Sequence, residues 1–181
     1  MLIDTHTHFM ESQFSSDLSG VLARAREAGV VKMVNVGCTE MASEQSIEMA
    51  EKYDFLFATQ GLHPSNFEDF SEKLMVKFFE AARGRKKVVA IGETGLDYHY
   101  KNANPHMQQQ SLRAQMRLAE ELDLPVIIHC RDASNADLSA SRDMISMMKE
   151  FPKVRCVMHC FAQDRQYADE VLKMSQTNPK G

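Results

Sequence analysis

Two histidines near the start of the sequence have the type and spacing of a metal-binding pair. His6 and His8 lie two residues apart, so on an extended strand both side chains project from one face. Thr5 and Thr7 then point the other way. Imidazole is a common ligand of divalent metal ions, and two on one face can bind the same ion. Alone the pair is a weak signal, because two solvent-facing histidines would give the same pattern.

Further ligand types follow apolar segments elsewhere in the chain. Glu93 ends the segment that starts at Val88, and a charge reached through so apolar a segment is costly to bury unless it is paired or binds a cation. A carboxylate can also bridge two metal ions whose coordination is completed by imidazoles. His129 and His159 follow two other apolar segments. We therefore predict a metal site formed by five residues: His6, His8, Glu93, His129 and His159.

The elements that would position these ligands are short strands, apolar on both faces, as in a parallel sheet covered by helices. The predicted strands run from Leu2 to Thr5, Val31 to Val36, Phe55 to Gly61, Val88 to Gly92, Pro125 to His129 and Val154 to His159. Amphipathic segments between them predict helices, one ending near Gly29 and one running from Pro105 toward Leu122. Carboxyl ends of parallel strands meet at one edge, which would bring the ligands together.

This alternation predicts an α/β fold, a TIM (β/α)₈-type barrel with about six of its eight βα units present. Roughly twenty to forty residues separate successive strands, enough for parallel crossovers. A closed barrel of this kind typically takes about 250 residues, and this chain has 181. Residues 1–181 are therefore predicted to form a single domain that is incomplete at its C-terminus.

Composition narrows the functional classes only slightly. With 44% hydrophobic and 25% charged residues the chain has an ordinary globular composition, and its net charge of -4 creates no general basic field. Nucleic-acid binding is neither implied nor excluded. The sequence has no apolar stretch of membrane-spanning length and no signal-peptide pattern after Met1, so we expect a cytoplasmic protein without membrane association.

The cysteines lack the Cys-x-x-Cys spacing of zinc ribbons and are predicted to be buried, reduced and structural. They are Cys38, Cys130, Cys156 and Cys160. Cys130 and Cys160 each follow a histidine directly, so they should aim away from any site that the histidines face. Metal ligation by a cysteine remains the alternative.

Five motifs occur in order along the chain: Ile3 to His8, Gly61-Leu-His-Pro64, Ile91 to Tyr98, Pro125 to Asp132 and His159-Cys-Phe161. In these motifs the chain resembles the TatD-type metal-dependent deoxyribonucleases of the amidohydrolase-like superfamily. The resemblance implies that His6, His8 and Glu93 bind one divalent ion and that Glu93 bridges to a second. The second ion would be bound by His129 and His159. The whole chain would then be one TatD-like hydrolase domain.

The activity that the resemblance implies is hydrolysis of DNA phosphodiester bonds by water activated between two metal ions, with Glu93 catalytic. The ions would be magnesium, manganese or zinc, and the DNA partner would be single-stranded or an end. By the same resemblance, His63 contacts a substrate phosphate or protonates the leaving oxygen. Pro64 biases the backbone before it toward an extended shape, so a purely structural loop is the alternative for His63.

Two further residues are predicted to bind substrate. Arg131 follows His129 by two residues, so it points to the same side and could bind a phosphate through two hydrogen bonds. A surface salt bridge with Asp132 or Asp137 is its alternative. Asp97, predicted to lie in the loop after Glu93, could orient a ligand or substrate, or could bond its own backbone.

One element of the family pattern is missing. The resemblance predicts a later strand with a Glu-Thr-Asp motif whose Asp binds metal, and none follows His159; Asp164 and Asp169 come too early. The chain could be a truncated form, or its activity could be reduced, absent or dependent on an improvised ligand. The alternative functions are a related amidohydrolase or lactonase acting on a small molecule, and a non-catalytic truncated form. The oligomeric state is undetermined by the sequence.

Overall fold

The computed structural model describes residues 1–134 and 136–177, and in this part of the chain strands and helices alternate. Six parallel strands form one sheet in sequence order. They are β1 (Leu2–Thr7), β2 (Val30–Asn35), β3 (Leu56–Gln60), β4 (Val88–Asp97), β5 (Val126–Arg131) and β6 (Cys156–Met158). The predicted C-terminal boundary at residue 181 lies outside the described residues.

A helix follows each strand. The helices are α1 (Leu18–Glu27), α2 (Glu40–Lys52), α3 (Glu72–Ala82), α4 (Pro105–Leu122), α5 (Ser139–Glu150) and α6 (Arg165–Thr177). Short 3-10 helices cover Ser12–Phe14 and Pro64–Asp69. The α/β class and the six βα units of a TIM-type barrel are thereby confirmed. Every helix in the described ranges is too short or too polar to cross a bilayer.

Local sequence explains where several helices begin and end. Thr39, Ser71 and Asn104 precede α2, α3 and α4, and each side chain accepts a hydrogen bond from a backbone N–H in the first turn. Pro105 occupies the first turn of α4, where its missing N–H costs nothing. Asp123 ends the same helix in the left-handed conformation, with a φ of 54°. Helix α4 therefore has the bounds that the sequence predicted.

The core lies on the outer face of the sheet, under the helices. Its larger cluster joins β4 and β5 to α3, α4 and α5. The fully buried side chains in that cluster include Ile91, Leu96, Leu112, Met116, Ile128 and Met144. A second cluster, around Met33 and Leu56, packs α1 and α2 on the first three strands. Together the clusters fix the sheet whose strand ends present the site.

The sheet curls so that its two end strands approach each other at one point. β1 and β6 each have one neighbour, and the side chains of Leu2, Ile3 and Val157 are more than half exposed. The rings of His6 and His159 nevertheless stack, with centroids 3.4 Å apart and planes 8° from parallel. The described residues therefore form a curled half-barrel.

One strand extends further than predicted. β4 continues past Glu93 to Asp97, because Thr94 to Asp97 pair with Ile128 to Arg131 on β5. Gly95 permits this pairing: its φ is 151°, and a Cβ there would lie 1.8 Å from the His129 carbonyl oxygen. The prediction that Asp97 lies in a loop is therefore wrong.

Candidate metal centre

The carboxylate of Glu93 lies at the centre of the predicted site and is 5% exposed. One of its oxygens, Oε2, lies 3.2 Å from His6 Nε2 and 3.9 Å from His8 Nε2. The other, Oε1, lies 3.0 Å from His129 Nδ1 and 3.7 Å from His63 Nε2. Strands β1, β4 and β5 and the segment after β3 thus bring four imidazoles to one carboxylate.

β1 presents His6 and His8 on one face, as the spacing predicted. Their Nε2 atoms lie 3.1 Å apart. Thr7 points the other way and its hydroxyl donates to the Val34 carbonyl. His8 Nδ1 lies 3.0 Å from the Val36 carbonyl oxygen. Because that carbonyl can only accept, Nδ1 carries the proton and Nε2 keeps a lone pair for an ion.

The separations around Glu93 Oε2 fit a single ion. Metal-to-ligand distances of about 2.0 to 2.1 Å place neighbouring ligand atoms roughly 3 to 4 Å apart. The three distances that join His6 Nε2, His8 Nε2 and Glu93 Oε2 are 3.1, 3.2 and 3.9 Å. These side chains fit a divalent cation without a change of backbone.

A bulge in β4 aims Glu93 into the centre. The register with β5 shifts between Ile91 and Thr94, so β4 gains a residue at that point. The Glu93 N–H donates to the Gly37 carbonyl at 2.9 Å, which ties the bulge to the end of β2. Gly61 of the neighbouring segment lies so close that an added Cβ would be 2.6 Å from Gly92 Cα. Backbone contacts with the segments after β2 and β3 therefore fix the position of this carboxylate.

His129 lies between two carboxylates. Its Nδ1 faces Glu93, and its Nε2 lies 3.0 Å from Asp97 Oδ2. Burial would lower the pKa of His129, but the hydrogen bonds to Asp97 and Glu93 raise it to about 9. Burial would likewise raise the pKa of Glu93, but hydrogen bonds from His129 and His6 outweigh burial and hold that pKa well below its usual range. Glu93 is thus ionised at neutral pH.

His159 enters the centre from the turn after β6, one residue beyond the strand that was predicted to contain it. Its backbone N–H donates to the Ile128 carbonyl, which anchors the turn on β5. The ligand atoms of His6, Glu93 and His159 lie within 4.8 Å of one another. Burial and the neighbouring His6 lower the pKa of His159, which favours the neutral form that ligates metals.

His63 has the structural role that was its predicted alternative, and its ring also reaches the centre. Its Nδ1 accepts a hydrogen bond from the Ser65 N–H and so caps the 3-10 helix that begins at Pro64. Its Nε2 faces Glu93. Burial, and secondly the charge of His129, lower the pKa of His63 to about 4, so the ring is neutral at neutral pH. Because Nδ1 accepts, the proton of the neutral ring resides on Nε2 and points into the centre.

Asp97 and Arg131 lie on the β4–β5 side of the centre. Asp97 is buried; it contacts His129 and accepts a hydrogen bond from the His99 N–H, so the predicted bond to its own backbone segment is present, and its role in orienting a ligand stays a prediction. Arg131 is exposed and donates to the Tyr100 hydroxyl at 3.5 Å, with its guanidinium over the same ring. The alternative salt bridge to Asp132 is not found among the described residues, and Asp132 instead accepts from the Ser141 N–H.

Cys38 belongs to the centre, which the sequence interpretation missed. Its Sγ lies 3.9 Å from Glu93 Oε2 and 3.9 Å from His8 Nδ1. Burial, together with Glu93 and Glu11, raises the pKa of this thiol to about 12. The available signal was position: Cys38 follows the end of β2, just as other site residues follow the ends of their strands.

The other cysteines are placed differently. Cys130 is buried and faces Ser141, away from the centre, as predicted. Cys156 is partly buried, and Cys160 is exposed, so the prediction of burial is wrong for Cys160. That residue lies in the turn after β6, with a φ of 46°.

The descriptions of known proteins similar to this chain agree with the family that its motifs resemble. Residues 3–177 match the model of the family described as TatD related DNase. An uncharacterized metal-dependent hydrolase of Bacillus subtilis, YabD, is 38% identical over 97% of this chain and 66% of its own length. The 3'-5' ssDNA/RNA exonuclease TatD of Klebsiella pneumoniae is 35% identical over 96% of this chain and 64% of its own length.

Solved structures agree with these matches. The crystal structure of YJJV, a TatD homolog from Escherichia coli, superposes with a TM-score of 0.86 at 33% identity, covering 96% of this chain and 65% of that one. A phosphotriesterase homology protein from the same species, at 15% identity and a TM-score of 0.59, supports the fold alone. This chain spans just under two thirds of the length of the relatives it matches. The family model, the two relatives and the solved TatD homolog agree that the chain belongs to the TatD-related DNase family.

Proposed function

We propose that this chain contains the metal centre of a divalent-metal-dependent hydrolase. The enzyme would cleave phosphodiester bonds in single-stranded DNA or at DNA ends. The observation that carries the proposal is the convergence of His6 and His8 on one oxygen of the buried Glu93 carboxylate. The name of the Klebsiella pneumoniae relative, a single-stranded DNA and RNA exonuclease, supports the substrate class. Cytoplasmic location remains a prediction.

The residues present would hold two ions in the arrangement that the family resemblance implies. His6, His8 and Glu93 would bind one, and Glu93, His129 and His159 the other. Because hydrogen bonds to Asp97 and Glu93 raise the pKa of His129 to about 9, its Nδ1 would release a proton when the ion binds, while Nε2 stays bonded to Asp97. Magnesium, manganese and zinc are the candidates; imidazole donors favour the transition metals. When bound, such ions lower the pKa of water and neutralise charge on phosphate oxygens. The ionised state of Glu93 suits the attraction of cations.

The chain's own residues supply the remaining interactions with a phosphodiester. Neutral His63 has its proton on Nε2, so it can donate a hydrogen bond to a phosphate oxygen beside Glu93. Its low pKa keeps the ring neutral, so it lacks the acidic proton of an imidazolium, which favours the phosphate-contact role over protonation of the leaving oxygen. Arg131 is exposed at the same edge of the sheet, and a guanidinium can bind a phosphate through two hydrogen bonds. Asp97 holds the His129 ring in place.

The test is release of nucleotides from single-stranded DNA by the purified 181-residue chain, with magnesium, manganese or zinc. Glu93→Gln tests the centre, and Glu48→Gln, which changes an exposed carboxylate on α2, is the matched control. Cleavage that needs added metal and is lost only in Glu93→Gln supports the proposal. A folded, metal-loaded chain that leaves DNA intact would contradict it; turnover of a lactone or cyclic amide would then favour the small-molecule alternative.

A further inference from the structure

We propose that Cys38 is a metal ligand, and that its thiolate, together with His8 and Glu93, binds a thiophilic divalent ion such as Zn²⁺. The inference rests on the proposed metal-dependent function of the same centre and deepens it, because it assigns a sulfur donor to a site otherwise built from nitrogen and oxygen. It follows that the centre selects among metals through this residue.

The distances around Cys38 suit ligation. The ligand atoms of His8, Cys38 and Glu93 lie within 4.8 Å of one another. Zinc-to-sulfur bonds are about 2.3 Å and zinc-to-nitrogen or oxygen bonds about 2.0 to 2.2 Å, which places sulfur roughly 3.5 to 4 Å from its fellow ligands. The observed 3.9 Å from Cys38 Sγ to Glu93 Oε2 falls in that range. An ion could therefore contact the thiolate and the carboxylate together.

The backbone, more than the sulfur itself, fixes where this thiol lies. The Cys38 carbonyl accepts hydrogen bonds from the His63 N–H at 2.9 Å and from the Asn66 side chain at 3.2 Å. The preceding Gly37 carbonyl accepts from the Glu93 N–H. These bonds tie the segment after β2 to two other site segments. Ligands held in this way are positioned before an ion arrives.

The following residues strengthen this anchoring. Thr39 caps α2 through its side chain, so the helix begins two residues after Cys38. Gly37 packs so tightly that an added Cβ would lie 2.5 Å from Ser43 Oγ and 2.9 Å from the Thr59 carbonyl oxygen. The segment therefore has little freedom to carry Cys38 away from Glu93.

Ligation would deprotonate the Cys38 thiol. The S–H bond breaks, its proton leaves to solvent, and the sulfur lone pair forms the bond to the ion. No oxidant or reductant is required. The positive charge of the ion offsets the repulsion that Glu93 exerts on a thiolate. Soft sulfur favours zinc and cadmium over magnesium, so metal selectivity is the measurable consequence.

The experiment is titration of the full chain with Cd²⁺ or Co²⁺, following the near-ultraviolet charge-transfer absorption that a metal–thiolate bond produces. Cys38→Ser removes the proposed donor. Cys130→Ser, a thiol facing Ser141 on the other side of β5, is the matched control, and Cys160→Ser tests the exposed thiol beside His159. We expect the absorption in the parent chain and in both controls, and its loss in Cys38→Ser. Zinc affinity, by chelator competition, should fall at least about 10- to 100-fold in Cys38→Ser, with little change for magnesium.

The outcomes separate this inference from the proposed function. Absorption that persists in Cys38→Ser, or a metal-loaded parent chain without it, overturns the role of Cys38 but leaves the metal centre standing. Failure of any ion to bind overturns both. A second measurement needs no variant: Zn²⁺ should slow alkylation of Cys38 while exposed Cys160 is modified throughout. Equal alkylation of Cys38 with and without bound zinc contradicts the proposal even if Cys38→Ser fails to fold.

Discussion

β4 and β1 both contribute ligands to the centre, but the sheet holds them very differently. β4 has a paired neighbour on each side, is covered by the core, and presents Glu93 from a bulge tied to the end of β2. β1 has one neighbour, and Ile3 on it is 57% exposed. The difference teaches that the carboxylate half of the centre is held by strands on both sides, whereas the strand that carries His6 pairs with β2 alone in the described sheet.

Removal of the carboxylate should have the largest effect. In Glu93→Gln, we expect metal-dependent cleavage to fall on the order of 10³-fold, because an ionised oxygen ligand becomes a neutral amide among several imidazoles. Bound metal per chain, measured by elemental analysis after gel filtration, should fall with it. Glu48→Gln is the control. Full metal content in Glu93→Gln would show that the imidazoles alone bind the ions.

A pair of isoleucine substitutions compares the two strands directly. Ile91→Ala, at a fully buried position on β4, should lower the free energy of unfolding by about 2 to 5 kcal/mol because it removes packed methylenes and leaves a cavity. Ile3→Ala, at an exposed position on β1, should change it by no more than about 0.5 kcal/mol. Urea denaturation followed by circular dichroism measures both. Equal losses would mean that β1 is buried in solution.

Loss of a β1 ligand should have a moderate effect on metal binding. His8→Ala removes one imidazole but leaves Glu93 in place, so we expect metal affinity to fall about 10- to 100-fold with the fold intact. Isothermal titration calorimetry gives the affinity. His106→Ala, at an exposed position on α4, is the matched control. An unchanged affinity in His8→Ala would show that His8 is not a metal ligand.

The smallest expected effect is one of dynamics. Because β1 has a single neighbour, its backbone amides should exchange with deuterium faster than those of β4. Zn²⁺ should slow exchange in β1 more than in β4, since the ion would link His6 and His8 to a strand that is already rigid. Hydrogen exchange followed by mass spectrometry tests this. Uniform slowing across both strands would contradict the proposed difference between them.

Much of this arrangement was predictable from local sequence. Pro105 and the apolar spacing after it predicted α4 correctly, and the His-x-His spacing predicted that His6 and His8 share a face. The roles of the predicted site residues remain predictions, although the structure brings the proposed ligands around Glu93. Sequence patterns were sufficient to predict elements, such as α4, whose own spacing of apolar residues defines them.

The errors share a cause, because each depends on contacts between distant segments. β4 reaches Asp97 only because Gly95 admits the backbone of β5, which no periodicity reveals. The pairing of Asp97 with His129 follows from that register. Cys38 was assigned to the structural thiols because the cysteines lack a Cys-x-x-Cys spacing, whereas its neighbours in space, His8 and Glu93, are distant in the sequence.

The stacking of the His6 and His159 rings makes their chemical shifts sensitive to the curvature of the sheet. Each aromatic ring shields protons that lie above its face, so the chemical shifts of both imidazoles depend on how far apart β1 and β6 stand. With centroids 3.4 Å apart, even slight parting of the two end strands would move those resonances. Nuclear magnetic resonance of these two histidines can therefore follow the closing and spreading of the half-barrel without any attached probe.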